Sequence, residues 1–257
     1  MPYLFKDTDL AAYRLRVLAD VFAVSSRTFL QDVVTTTPQL AVDLGCGPGY
    51  TTHLLADTTH CVRAIGLDNS EHFLTLASRS ATERISFVRH DVTQIPFPTG
   101  QSDLISCRML LTHLQDPLSV IECWGTQLRP HGLLLLEEVE WIQTELSLFR
   151  SYLDIVAAML KQQANQLYIG PLLDKHQMGN ELRRCISRVY HLPVSTAQAA
   201  TMFYLNIQSW KNQPFIQKHY SATIIDQMEH DLQELTATST SESEIEWGMR
   251  QIAYERV

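Results

Sequence analysis

The strongest chemical signal in the chain is a glycine-rich stretch with an acid in front of it, Val42-Asp43-Leu44-Gly45-Cys46-Gly47-Pro48-Gly49-Tyr50. Glycines at a strand-to-helix turn let the backbone turn sharply and come close to a ligand. The spacing is G-x-G-x-G, not the G-x-G-x-x-G of dinucleotide phosphate sites. Pro48 stiffens the loop. Asp43, two residues before the first glycine, would repel a pyrophosphate and suits an ammonium group.

Two further acids follow in register. Asp68 closes the next strand in Gly66-Leu67-Asp68-Asn69-Ser70, where a ribose-binding carboxylate sits in this topology. Asp91, in His90-Asp91-Val92, follows the third strand and can accept from an adenine amino group. Any one of these acids reads as a loop cap. Together they ask for an ammonium, a ribose diol and an adenine with no phosphate, which describes S-adenosylmethionine.

These residues need strands and helices to hold them. Leu10, Tyr13, Val17, Val21 and Val24 recur at helical spacing and predict a helix over 8–34. Short apolar runs at 40–44, 62–67, 85–88, 104–107 and 133–139 predict strands. Helices are expected to open at 51–56 and to run over 70–78, with Ser70 as N-cap, and over 118–128, closed by Pro130 and Gly132. Alternation of this kind means βαβ units and a parallel sheet. Past Val139 the expectation is helix over 146–166 and 172–184, strand over 187–194, helix over 196–235 broken at Pro214, a Ser/Thr-rich linker at 236–243, and a last strand over 245–254.

At this point the chain resembles the class I S-adenosylmethionine-dependent methyltransferases of the small-molecule type, from about Thr37 to Val139. Asp43 to Gly49 match the family's first motif, Gly66-Leu67-Asp68 the second and Asp91 to Phe97 the third. Asp103 to Cys107 resembles the fourth strand and Leu128 to Leu134 the turn into the fifth. The resemblance implies an α/β fold: a Rossmann-like seven-stranded sheet flanked by helices, its last strand antiparallel and inserted beside the fifth. An N-terminal helical segment and a helical cap inserted before the last strand would complete it. It also implies that Asp43, Gly45, Cys46 and Gly47 face the methionine part of the cofactor, with Asp43 direct or through water. Asp68 and Asn69 would serve the ribose, Asp91 and Val92 the adenine, and backbone groups at Cys107 and Arg108 the methionine end. The product would be S-adenosylhomocysteine. The reading is one domain over 1–257, with an N-terminal helical lid (1–36), a cofactor-binding core (37–145) and substrate-side helices and last strands (146–257).

The acceptor belongs outside the carboxyl ends of the strands. Arg108 to Asp116 and Glu137 to Gln143 are therefore the candidate loops, with His113 and Glu138 as candidate bases. Glu138 and Glu140 share a face that Glu137 does not. Tyr3, Phe5, Tyr13, Trp141, Tyr168 and Phe203 are candidate aromatic walls for a small, apolar or aromatic metabolite of biosynthesis, with nitrogen, oxygen or carbon as acceptor atom.

The chain has 257 residues, a formal charge of -8, 45% hydrophobic and 19% charged residues. With no basic run, a small molecule is favoured over nucleic acid as partner. The five cysteines show neither a disulfide framework nor a zinc pattern, so no metal is expected. No secretory signal or membrane-length apolar run is evident, which favours a cytoplasmic monomer or homodimer. Three other readings stay open: a cofactor-binding cyclase that transfers no methyl group, a nicotinamide-dependent oxidoreductase, and an interaction module that has lost its cofactor.

Overall fold

A computed structural model describes residues 8–179, 181–237 and 244–257 of the chain. Five parallel strands form its centre: Leu40–Leu44 (β1), Arg63–Asp68 (β2), Ile85–Arg89 (β3), Ser102–Arg108 (β4) and Leu128–Thr144 (β5). Every residue of β1 is buried, as a strand covered on both faces must be. Leu182–Val194 (β6) and Ile245–Arg256 (β7) complete a seven-stranded sheet of order β3-β2-β1-β4-β5-β7-β6, with β7 antiparallel to both neighbours. The strand order reverses between β1 and β4, so a crevice opens there at the strands' carboxyl ends.

Helices α1 (Asp9–Val33), α2 (Tyr50–Thr59), α3 (Glu71–Ser78) and α4 (Pro117–Gly125) flank the parallel strands. Ser70 caps α3 by accepting from the Phe73 N–H. Beyond β5 come α5 (Ser147–Gln162), α6 (Gly170–Lys175), α7 (Thr196–Trp210), α8 (Pro214–His219) and α9 (Ala222–Thr236). Helices α5, α7 and α9 share one apolar core with α1 and β7, around Phe22, Tyr152, Phe203, Trp210 and Trp247. No helix among the described residues is long and apolar enough to cross a membrane.

The structure corrects several sequence expectations. The N-terminal helix is present, but its inward face is not the apolar stripe. Tyr13 and Val24 are 54% and 52% exposed, whereas Arg14, Ser25 and Ser26 are buried. Polar residues face inward because the sheet offers them partners. Glu137 on β5 accepts from Ser25 Oγ (2.5 Å), from Ser26 Oγ and from Gln251 Nε2 (2.8 Å). A buried polar group is tolerable only when bonded in this way.

Helix α4 stops at Gly125, short of the predicted end at 128, and Pro130 and Gly132 lie within β5 rather than closing a helix. The predicted helix over 172–184 divides into the short α6 and the start of β6. Residues 137–143, expected as a loop, continue β5 across a bulge between Val139 and Trp141. Of the predicted linker, 238–243 lie outside the described residues, as do the wall candidates Tyr3 and Phe5.

The longer β5 decides the fate of Trp141. It pairs with Gly248 on β7, and its indole lies across the space a side chain would fill there. His191 on β6 meets that indole edge-on at 5.1 Å between centroids. Gly248→Val is therefore expected to displace the indole and destabilise the protein by about 1–3 kcal/mol. Urea unfolding checks this, and an unchanged midpoint would refute the packing role.

Candidate active site

One cavity of about 930 Å³ opens at the carboxyl ends of the parallel strands. Sites for a single small molecule usually measure about 300–1,000 Å³, so this one is large enough to be shared. Sheet order arranges its floor. Asp91 follows β3, Asp68 ends β2, Gly45 to Pro48 follow β1, Arg108 ends β4, and Glu138 stands on β5. Neighbouring strands are spaced by about 4.8 Å, which sets Asp68 and Glu138 about 14 Å apart across the floor.

The loop after β1 needs its glycines. Gly45, Gly47 and Gly49 have φ of +68°, +51° and +90°, a region that side chains disfavour. At Gly45 a Cβ would lie 2.9 Å from the Leu110 side chain. The left-handed turn aims the Gly47 N–H at Asp68 Oδ2 (2.8 Å), while the Ser70 N–H reaches Asp68 Oδ1 (2.8 Å). Two backbone donors thus orient the Asp68 carboxylate at the cavity. Asp91 accepts at Oδ1 from the Thr93 N–H (3.0 Å) and hydroxyl (2.7 Å). Val92 beside it is fixed through its carbonyl, which takes the Trp124 indole N–H at 2.7 Å.

Asp43 is expected to reach the ligand directly or through water, and Cys107 through its backbone groups. Neither is among the residues lining the large cavity. Asp43 is buried beneath the glycine loop and accepts at Oδ2 from the hydroxyls of Thr51 (2.6 Å) and Thr52 (2.7 Å) in α2. Burial carries its pKa up to about 6, against the pull of those hydroxyls and of Arg108. A second small cavity of about 20 Å³ joins Asp43, Arg108, Ser26 and Glu137, enough for one water. The small cavity gives Asp43 and Arg108 a common space that one water can fill. Arg108 lines both cavities and donates to Ser26 Oγ at 3.0 Å. Burial lowers its pKa, opposed by Glu137 and Asp43. The Cys107 thiol points to Glu138 Oε1 at 4.0 Å and is raised by burial.

The two candidate bases both line the cavity, in unlike environments. Glu138 is buried and accepts at Oε1 from the N–H groups of Leu110 and Leu111, both at 2.8 Å. Burial raises its pKa to about 8 despite those donors. His113, in the 3-10 turn Leu111–His113, is lowered to about 4 by burial and then by Arg14. Near neutral pH such an imidazole is uncharged and a weak base.

Glu140, expected to share a face with Glu138, ion-pairs with Arg250 at 2.7 Å and packs on Gly170 of α6. The aromatic candidates also divide. Phe203 lines the cavity, stacked on Tyr152 at 4.1 Å. Tyr13 faces solvent, Trp141 covers Gly248, and Tyr168 is half-buried in the turn between α5 and α6, where its neighbour Leu167 takes the lining position. Walls that sequence reasoning missed are Phe22, Tyr152 and Trp247, together with Arg14. The i, i+3, i+4 series through Ala11, Arg14, Leu18, Phe22, Ser25 and Phe29 was the available signal for the α1 members.

Comparison with known proteins agrees with this geometry. Residues 42–136 match the family model described as a methyltransferase domain. A trans-aconitate 2-methyltransferase of Azoarcus sp. (strain BH72) is 32% identical over 124 residues, 48% of this chain and 45% of that protein. The chain spans less than half the length of the first curated relatives it matches, between 36% and 45%. Coclaurine N-methyltransferase, solved with N-methylheliamine and S-adenosylhomocysteine, superposes with a TM-score of 0.57 at 12% identity, covering 91% of this chain and 72% of that one. The [4+2]-cyclase SpnF does so with 0.55 at 14%, covering 91% and 81%. At those identities the likeness is one of fold. Residues 42–136 thus match a methyltransferase domain, set in a fold that is shared with a methyltransferase solved with S-adenosylhomocysteine.

Proposed function

We propose that this chain methylates a small molecule held between the glycine loop and the helical cap. The observation that carries the reading is the continuity of one cavity from the acids of β2 and β3 to an apolar lobe beyond Glu138. Asp68 would hold the ribose hydroxyls, with Asn69 beside it. Asp91 and Val92 would frame the adenine. Gly45, Cys46 and Gly47 would lie along the methionine part, and Arg108 would face its end. The paired acids and the absence of a basic residue between Asp43 and Tyr50 suit this cofactor, not a phosphate. When bound it supplies a methyl group activated by a sulfonium. The lobe's task is to present the acceptor in line with the carbon–sulfur bond, a positioning effect of ~7–11 kcal/mol at most. Glu138 would take the proton that a phenol or ammonium acceptor must lose.

The family match ends at Leu136, before Glu138 and without α1 or α5 to α9. Most of the acceptor lobe therefore comes from elements outside the matched segment, and the acceptor of a relative does not carry over with the domain. An apolar or aromatic body fits the lobe of Phe22, Ile142, Val156, Met202, Phe203 and Trp247. A place in natural-product biosynthesis accords with such an acceptor. The test is incubation with methyl-tritiated S-adenosylmethionine and a panel of aryl acids, phenols and amines, followed by extraction. Label in an extracted product supports the reading; conversion of a substrate without label would replace it with the cyclase reading.

A further inference from the structure

A left-handed residue governs the turn after β4. Among the described residues His60, Met109, His131 and Ala164 have positive φ without being glycine, and of these Met109 alone lines the large cavity. Its φ is +51°, a conformation that glycine adopts freely and that a side chain disfavours. Strain of this kind persists where the surroundings impose it, and it gathers at functional sites.

The chain around Met109 shows what the turn achieves. The Met109 N–H donates to the Glu137 carbonyl of β5 at 3.0 Å. The backbone then reverses, and Leu110 returns to right-handed geometry at φ −112° and ψ −38°. Successive residues of opposite hand turn their N–H groups into one concavity, which suits an anion. Here the N–H groups of Leu110 and Leu111 converge on Glu138 Oε1, both at 2.8 Å. The Leu110 side chain fills the space beside Gly45, so the same turn abuts the glycine loop. The Met109 side chain packs against the apolar core shared by α1, α5, α7, α9 and β7.

We infer that Met109 is a positioning residue: its left-handed backbone forms the concavity that holds the Glu138 carboxylate, and its side chain joins that concavity to the helical cap. This rests on the reading of Glu138 as the base and adds the residue that aims it. The ionisable groups that act on Glu138 are Glu137, whose charge raises it, and the Cys107 thiol of β4 at 4.0 Å. The two N–H groups work in the opposite direction, favouring the charged form.

The test titrates the protein without ligand, labelled with ¹³C at the glutamate carboxyls, by NMR. The Glu138 signal is the one missing from Glu138→Gln, and its midpoint is expected near 8. Met109→Gly keeps the turn and should hold that midpoint within about half a pH unit. Met109→Val resists the left-handed region, so both donors to the charged form weaken and the midpoint should rise by about one pH unit or more. Thermal melts at pH 7 decide the matter should Met109→Val fail to fold. Met109→Gly is expected to melt about 2–4 °C above Met109→Ala, the reverse of the usual order within regular structure. An unmoved or falling midpoint in Met109→Val, an equal rise in Met109→Gly, or Met109→Ala melting above Met109→Gly would each overturn the inference. Both measurements omit the cofactor, so overturning the inference leaves the methyltransferase reading in place. Failure to bind S-adenosylhomocysteine would overturn that reading and leave the Met109 result as it stands.

Discussion

Glu138→Gln is expected to lower turnover by about 10²–10⁴-fold, the range over which a positioned base contributes, and to leave affinity for S-adenosylhomocysteine within threefold. The glutamine amide oxygen can still accept from the Leu110 and Leu111 N–H groups, so the turn after β4 should survive. What the substitution removes is proton acceptance. With Glu138 as the proposed base, the active form would be the carboxylate, so turnover should climb with pH and level off above about 8. His113→Ala should leave that rise in place, because an imidazole near 4 is already deprotonated throughout it. A Glu138→Gln protein with full turnover and the same pH profile would show catalysis by positioning alone.

The same residue ties stability to pH. Its folded pKa of about 8 lies above the ordinary 4.5. The protonated carboxyl therefore stabilises the fold fully below about 4.5, and that contribution is lost as pH rises through about 8. Thermal melts without ligand should show Glu138→Gln more stable than the parent at pH 9, by on the order of a few kcal/mol, and no advantage at pH 4. The reverse ordering would mean that Glu138 is ionised in the folded protein throughout.

Asp68→Ala is expected to weaken cofactor binding by about 10²-fold or more. A charge-assisted hydrogen bond contributes ~1.5–3 kcal/mol, and two ribose hydroxyls would lose their acceptor together. The substitution also releases the Gly47 and Ser70 N–H groups, so the glycine loop loses the group that orients it. Calorimetric titration of S-adenosylhomocysteine checks this. Unchanged affinity would remove Asp68 from the site.

The two halves of the cavity differ in how far they could be read from sequence. The cofactor half is local. Gly45, Gly47, Asp68 and Asp91 each follow or end a short strand, and the strand pattern places them at one edge. The acceptor half is made by convergence of α1, α5, α7 and β7, whose approach no local pattern encodes. For α1 the apolar stripe misled, because Glu137 gives Ser25 and Ser26 a reason to face inward and leaves Tyr13 in solvent. Trp141 looked like a wall while β5 was taken to end at Val139. Once the strand runs on to Thr144, its cross-strand partner is a glycine and the indole covers it. Asp43 was read as a strand residue before the glycine loop, and it is one; that it lies under the loop was not legible, since the Thr51 and Thr52 hydroxyls that hold it belong to the following helix.

The central claim is that the acids of β2 and β3 and the glycine loop form a site for S-adenosylmethionine. Calorimetric titration of the unaltered protein with S-adenosylmethionine, and separately with NADH, tests it most directly. The account predicts saturable one-to-one binding of S-adenosylmethionine and no heat from NADH. Binding of NADH with none of S-adenosylmethionine would contradict it.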